Sequence, residues 1–185
     1  MTASAVLLVD FGVSSVSGAV FSGVLVNGVD AKGRVSVPHA FRMTSDQRLA
    51  EKGVADKAIR IGRHARWNCL EVLDAAEVAE VSAMIDRRAA DRAEKTGEFF
   101  DDVREELRFE KWSELTEVSY DSAGRMVLPA ALREEVGISE DAVFVGGETI
   151  FYIWSPEAFR AARPNASAVH RQIDDQIAAK RGGRA

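Results

Sequence analysis

Two arginines occupy the same place in two copies of a short motif. Asp30-Ala-Lys-Gly-Arg34 and Asp121-Ser-Ala-Gly-Arg125 both follow the pattern Asp-x-x-Gly-Arg. An arginine beside a tight turn is exposed, and its planar guanidinium can hold a phosphate or the O6/N7 edge of guanine in a bidentate pair. Arg34 and Arg125 are therefore candidate contacts to DNA, and Lys32 adds positive charge to the first tip only.

A single copy of so short a motif would favour a structural explanation. Aspartate suits the first position of a turn, and glycine supplies the left-handed residue of a three-residue hairpin loop. Asp30 and Asp121 are therefore predicted to shape or brace the tips, but turn geometry does not explain an arginine at the same tip twice. Arg42 and Arg133 are weaker candidates for DNA contact, and a solvated helix face is the alternative place for both.

Each motif is predicted to sit at the tip of a β-hairpin. An apolar strand, 21–29 in the first copy and 115–120 in the second, leads into the turn, and the arginine opens the return strand. Pro38 or Pro129 then ends that strand and suits the start of a short helix. Two further strands are predicted in each copy, at 58–62 and 67–73 in the first and at 142–145 and 150–154 in the second.

The similarity between the two halves extends beyond the motif. Aligning Asp30 with Asp121 brings apolar and basic residues into matching positions on both sides of the turn. We interpret this as an internal duplication that produces two β-rich units, each with short helices. The matched pairs are Phe21 with Trp112, Arg34 with Arg125, Val37 with Leu128, Pro38 with Pro129, Phe41 with Leu132 and Arg42 with Arg133.

A helical hairpin is predicted between the two units. The first helix, 75–95, begins at a capping box of Asp74 and Glu77 and ends at Gly97, and the second covers 98–111. Its apolar stripe indicates core or subunit contact, and its acidic outer face indicates a solvated surface. The stripe consists of Val78, Val81, Ile85, Phe99, Val103 and Leu107.

Near the C-terminus, Ser155 followed by Pro156 predicts another helix start. After Pro164 we expect at most a short helix with a loose end.

Charge is distributed unevenly along the 185 residues, whose net charge is −5. Residues 21–66 contain nine lysines and arginines against four acidic residues, whereas residues 67–119 contain seven against fifteen. This asymmetry indicates one surface suited to an anionic partner and another that would repel it. An overall acidic composition therefore does not exclude DNA binding.

Catalytic and metal sites find little support in the sequence. Cys69 is the only cysteine and the three histidines are scattered, so no zinc-binding spacing is present, and we expect a reducing cytoplasm, no metal and no cofactor. His64 near Cys69, and the pair Asp101 and Asp102, are the only enzyme-like combinations, and neither supplies a nucleophile, a base and an orienting group. We predict that the protein is not an enzyme.

The two motifs, in order and separated by an acidic helical hairpin, resemble the MraZ family of bacterial transcriptional regulators over about residues 21–160. The resemblance implies a mixed α+β, β-rich fold of two AbrB-like units of the swapped-hairpin, double-psi type. It also implies a ring-shaped homo-oligomer, cytoplasmic and nucleoid-associated, that binds short direct repeats of double-stranded promoter DNA. The target would lie upstream of its own division and cell-wall gene cluster, usually for repression. No membrane or small-molecule substrate is implied.

The family's Asp-x-x-x-Arg signature falls on Asp30 with Arg34 and on Asp121 with Arg125. Family members usually begin just before the Phe-x-Gly that starts here at Phe21. We therefore expect residues 1–20 to be an extension, with an upstream misassigned start and initiation at Val20 as one hypothesis. The implied division is 1–20 extension, 24–76 first AbrB-like domain, 77–112 helical linker, 115–158 second AbrB-like domain and 159–185 C-terminal tail.

Two other functions fit the same elements. An AbrB-like antitoxin would bind a toxin through an appended tail, and a ring scaffold without a DNA role would make the tip arginines incidental. The duplication and the helical hairpin favour the regulator over both.

Overall fold

The computed structural model describes residues 18–182 and shows a mixed α+β fold. Residues 1–17, most of the expected extension, lie outside the described part. The described strands are β1 Val24–Gly28, β2 Arg34–Ser36, β3 Ile59–Arg63, β4 Leu70–Leu73, β5 Thr116–Val118, β6 Arg125–Val127, β7 Asp141–Gly147 and β8 Ile150–Trp154. The described helices are α1 His39–Lys52, α2 Ala75–Thr96, α3 Phe100–Ser113, α4 Ala130–Glu135, α5 Pro156–Ala162 and α6 Ser167–Gly182.

Strands from both copies of the motif share one antiparallel sheet. Its order is β1-β7-β8-β4-β3-β5, and β2 pairs with β6 in a separate two-stranded ribbon. Exchanging each strand of the first copy for its counterpart in the second reproduces the same order reversed. The two halves are thus interleaved around a pseudo-two-fold axis, as expected for a duplicated sequence.

The predicted strands are present, and several are shorter than expected. Phe21 lies outside β1 and forms an isolated bridge to Glu148, and Trp67 precedes β4 in the connecting loop. Both turns fold as predicted, because Gly33 and Gly124 adopt positive φ angles of 77° and 82°. The prediction that the strands flanking each turn form a hairpin was wrong, since β1 pairs with β7, β5 pairs with β3, and β2 pairs with β6.

An aromatic cluster forms the centre of the core. The rings of Phe21 and Phe41 lie 5.7 Å apart, and each also packs on Phe151, at 5.1 and 5.2 Å. Val35 and Met126, the central residues of the ribbon, are buried against the same cluster. The ribbon is therefore held by its inner face, which leaves its outer face free for contact.

The helical hairpin is confirmed, with one difference in its apolar stripe. Asp74 caps α2 by accepting a hydrogen bond from the amide of Glu77 at 2.9 Å, and Gly97 ends the helix in a left-handed conformation. Asp74 is fully buried and also accepts from Arg48 Nε at 2.9 Å, which ties α2 to α1. Phe99, however, stands just before α3 and is 80% exposed, because it precedes the first helical turn.

The prediction of a loose tail after Pro164 was wrong, since α6 has 16 residues and docks along β1. Gln176 accepts a hydrogen bond from the amide of Val26 at 2.9 Å and donates to the carbonyl of Val24 at 3.1 Å. Ile173 is fully buried beneath the helix. An edge strand presents unpaired backbone groups, and α6 satisfies them with side chains.

Across residues 18–182, none of the helices has the length and apolar character that a bilayer crossing requires.

Candidate nucleic-acid interface

The first tip is organised by Asp30. One carboxylate oxygen accepts hydrogen bonds from the amides of Lys32 and Arg34, both at 2.9 Å, and the other accepts from Arg34 Nε at 2.6 Å. The amide hydrogen bond from Arg34, followed by its side-chain hydrogen bond, lowers the pKa of Asp30 below its usual value. The carboxylate stays ionised and holds the arginine by its inner nitrogen, with the side chain of Arg34 60% exposed.

The second tip has the same geometry. Asp121 accepts from the amides of Ala123 and Arg125 at 2.9 Å and from Arg125 Nε at 2.7 Å. The amide hydrogen bond from Arg125, followed by its side-chain hydrogen bond, likewise lowers the pKa of Asp121 below its usual value. The side chain of Arg125 is 69% exposed. The guanidinium groups of the two arginines are thus held in the same orientation relative to their turns.

The ribbon places the two tips on one surface. In the β2–β6 register, Arg34 lies opposite Val127 and Ser36 lies opposite Arg125. A groove of about 690 Å³ runs between the tips and is lined by residues of both motifs, including Asp30 and Arg125. This surface combines two exposed cations with the width of a two-stranded ribbon, which the major groove of DNA can admit.

Each tip is also supported by an arginine from the other half of the chain. Arg42, on α1, donates from Nη1 to the carbonyl of Ser122 at 2.9 Å and packs on Gly124. Arg133, on α4, packs on Gly33 in the same manner. A methyl group on Gly124 would lie 2.5 Å from Arg42 Nε, so glycine is required there by packing as well as by its φ angle.

Arg42 and Arg133 are half-buried, with the Nε atom of each buried against the opposite tip rather than fully solvated. Sequence alignment of the two halves identified both positions but could not show that each arginine crosses to the opposite tip. Lys32 remains exposed at the first tip, where the second tip has Ala123.

The enzyme-like residues do not form a reactive site. Cys69 is fully buried, and burial raises its pKa to about 12, so its thiol is not a nucleophile at neutral pH. His64 stacks on Trp67 with 4.5 Å between ring centroids, and burial lowers its pKa. Asp101 is exposed on α3 and pairs with Arg104. Among the described residues, no three potential metal ligands lie together.

Comparison with known proteins identifies the family. The chain is 34% identical over 140 residues to "Transcriptional regulator MraZ" of Rickettsia rickettsii (strain Sheila Smith), an alignment that covers 76% of this chain and 84% of the relative. It is 32% identical to the protein of that name in Rickettsia akari (strain Hartford), covering 83% and 93%. The chain belongs to the MraZ family. The resemblance inferred from the two motifs is thereby confirmed.

Other comparisons with the MraZ family agree. The family model described as "MraZ protein, putative antitoxin-like" matches residues 112–180, which include the second tip and most of α6. The MraZ protein of Gluconacetobacter diazotrophicus is 30% identical and covers 84% of this chain and 90% of its own length. MraZ proteins are named as transcriptional regulators, which places this chain in a family of regulators rather than of enzymes.

Proposed function

We propose that this protein is a sequence-specific DNA-binding repressor of its own division and cell-wall gene cluster. In this proposal it binds short direct repeats of double-stranded DNA upstream of the operon, within the nucleoid of the cytoplasm. The observation that carries the proposal is the pair of arginines, Arg34 and Arg125, each held by an aspartate through Nε on one exposed ribbon. Fixed guanidinium groups on a ribbon suit bidentate contacts to base edges or phosphates.

Several residues around the arginines have separate roles in this proposal. Asp30 and Asp121 orient the guanidinium groups from behind and remain ionised. Lys32 adds a phosphate contact at the first tip. Arg42 and Arg133 act as positioning residues that hold the tips and contribute positive potential.

The two halves, 24–76 and 115–158, are proposed to be AbrB-like units with swapped hairpins, joined by the linker 77–112. The pairing of β2 with β6 supports this, because each half contributes one strand of the ribbon. Two arginines supply few contacts, and each bidentate pair provides about 1–3 kcal/mol of discrimination. Assembly into a ring-shaped homo-oligomer would add further ribbons and let the protein bind repeated DNA sites by avidity.

The test is binding to the duplex immediately upstream of the coding sequence, measured by fluorescence anisotropy across a salt series. The wild type should bind this duplex more tightly than random duplex, and log affinity should fall by about 0.9 per phosphate contact per log unit of salt. Combined Arg34→Ala and Arg125→Ala substitution should abolish this preference. The matched control is Arg87→Ala with Arg88→Ala, which removes two exposed charges from α2.

Two results would contradict the proposal. The first is a wild type that does not prefer its upstream duplex. The second is a control pair that weakens binding as much as the tip pair does. A small protein that co-purifies with the chain and blocks DNA binding would instead favour an antitoxin function. The description of the matching family model also uses the word antitoxin-like. An assembled protein without DNA binding would favour a scaffold.

A further inference from the structure

The outer face of the ribbon breaks the symmetry of the two tips. Arg34 and Arg125 occupy equivalent positions of the two halves, and so do Ser36 and Val127, two residues further along. The first pair is identical, whereas the second combines a hydroxyl group with an apolar side chain. These four residues form a square on the outer face of the ribbon. The two arginines lie on one diagonal of the square, and the unlike pair of Ser36 and Val127 lies on the other.

Val127 is conspicuous on this face because it is 54% exposed. A single exposed valine has an ordinary explanation, since β-branched residues favour strands. Its position argues for more, because it lies directly opposite Arg34 and lines the groove between the tips. Since Val127 also follows Arg125 by two residues on the same strand, it is next to both candidate base-reading arginines, where an apolar side chain would face a base edge.

We propose that Val127 packs on the C5-methyl group of a thymine and thereby makes the ribbon an asymmetric reader of DNA. The inference rests on the proposed function, in which the ribbon enters the major groove. There the thymine methyl is the apolar feature that distinguishes one base edge from the others. Ser36, at the equivalent position, presents a hydroxyl group that can donate to or accept from a base or phosphate.

This asymmetry fixes the direction in which the ribbon lies on the duplex. If Ser36 and Val127 were identical, a half-turn about the pseudo-two-fold axis would leave the outer-face contacts of β2 and β6 unchanged. A valine on one strand only makes the two orientations unequal in affinity. Lys32 acts in the same sense, because the second tip has the uncharged Ala123 at that position.

The experiment is a deoxyuridine scan of the upstream duplex, in which each thymine in turn loses only its methyl group. Wild-type affinity should fall about fourfold at the contacted thymine, the effect expected for loss of one buried methyl group. In Val127→Ser, which carries the same residue as the equivalent position, Ser36, and has no methyl group to pack on the thymine, the same uracil substitution should cause almost no further loss. Ser36→Ala is the matched control and should retain the full fourfold uracil effect.

The possible failures are distinguishable. If the wild type prefers its upstream duplex but no thymine responds to methyl removal, or if Val127→Ser retains the full response, the proposed contact is overturned while the regulator function stands. If Ser36→Ala loses the response as completely as Val127→Ser, the asymmetry is overturned. If the wild type shows no preference for the duplex, the regulator function fails and this inference fails with it.

Discussion

At the scale of single residues, the tips depend on aspartates and glycines more than on the arginines they present. Asp30 accepts two amide hydrogen bonds and one guanidinium hydrogen bond, and Asp121 repeats this arrangement. Charge-assisted hydrogen bonds of this kind fix the direction of a side chain. The arginine is consequently ordered before any ligand arrives, which reduces the entropy lost on binding.

Substitution of Gly124 should destabilise the fold more than the strain from its positive φ angle alone would. Gly124→Ala should lower the free energy of unfolding by about 2–3 kcal/mol, since the left-handed conformation costs roughly 1–2 kcal/mol and the methyl group also meets Arg42 and, at 2.9 Å, the backbone carbonyl of Val37. Gly53→Ala is the matched control, because Gly53 also has a positive φ but no atom near the added methyl. Urea unfolding of both variants measures the difference. Equal losses would show that Arg42 and the Val37 carbonyl move aside without cost.

His64 should make stability depend on pH. Its Nδ1 accepts hydrogen bonds from the amides of Arg66 and Trp67 at 3.1 Å, and burial lowers its pKa below 6.5. The unfolded chain then binds a proton more readily, so the free energy of unfolding should fall as pH drops through about 6.5. His64→Asn keeps an acceptor and should flatten this slope in urea unfolding at pH 7.5 and 5.5. An unchanged slope would assign the effect to other groups.

At the scale of elements, α6 acts as a cover for the free edge of β1. Gln172 and Gln176 both donate to the carbonyl of Val24, and Lys180 hydrogen-bonds to the carbonyl of Val26 and, at 3.1 Å, to Asn27. These side chains are spaced at helical intervals along one face of α6. The helix thereby replaces the neighbouring strand that β1 lacks on this side.

Gln176 should be the essential member of this cover. Gln176→Ala leaves the amide of Val26 without its partner and should lower the free energy of unfolding by about 1–2 kcal/mol. The loss from Gln172→Ala should be smaller, because the carbonyl of Val24 keeps Gln176 as a donor. Amide hydrogen exchange at Val26 should accelerate in the first variant only. Equal protection in both variants would mean that packing of Ile173 holds the edge without the glutamine.

At the scale of the whole molecule, the two halves form one structure whose tips are mutually supported. The central strands β8 and β4 come from different halves, as do β1 and β7 and also β3 and β5. Each tip packs against an arginine on the helix that follows the other tip. A disturbance in one half is therefore expected to reach the tip of the other.

A double-mutant cycle should detect this crossing. Arg42→Lys keeps the charge but loses the planar fork that supports the second tip. Its effect on DNA affinity should be non-additive with Arg125→Ala, with a coupling free energy on the order of 1 kcal/mol, and additive with Arg34→Ala. Arg133→Lys should show the opposite pattern, and anisotropy titrations measure both. Coupling of Arg42 to Arg34 instead would contradict the crossed arrangement.

The sequence alone determined the local features, because their causes lie within a few residues. The tips follow from aspartate and glycine at turn spacing, α2 from its cap at Asp74 and its stop at Gly97, and α5 from Ser155 before proline. The family could also be inferred, since its signature is two short motifs in order. The placement of Phe99 failed because the first turn of a helix is the least certain part of a periodic pattern.

Only the tertiary structure decided how the halves combine. The pairing of Ser36 with Arg125, the crossing of Arg42 to Ser122 and the docking of Gln176 on Val26 join residues far apart in sequence. Such contacts depend on which edges and apolar faces remain unpaired after the local elements have formed. Local spacing could therefore identify the arginines and their turns, whereas the common surface they share arises from long-range packing.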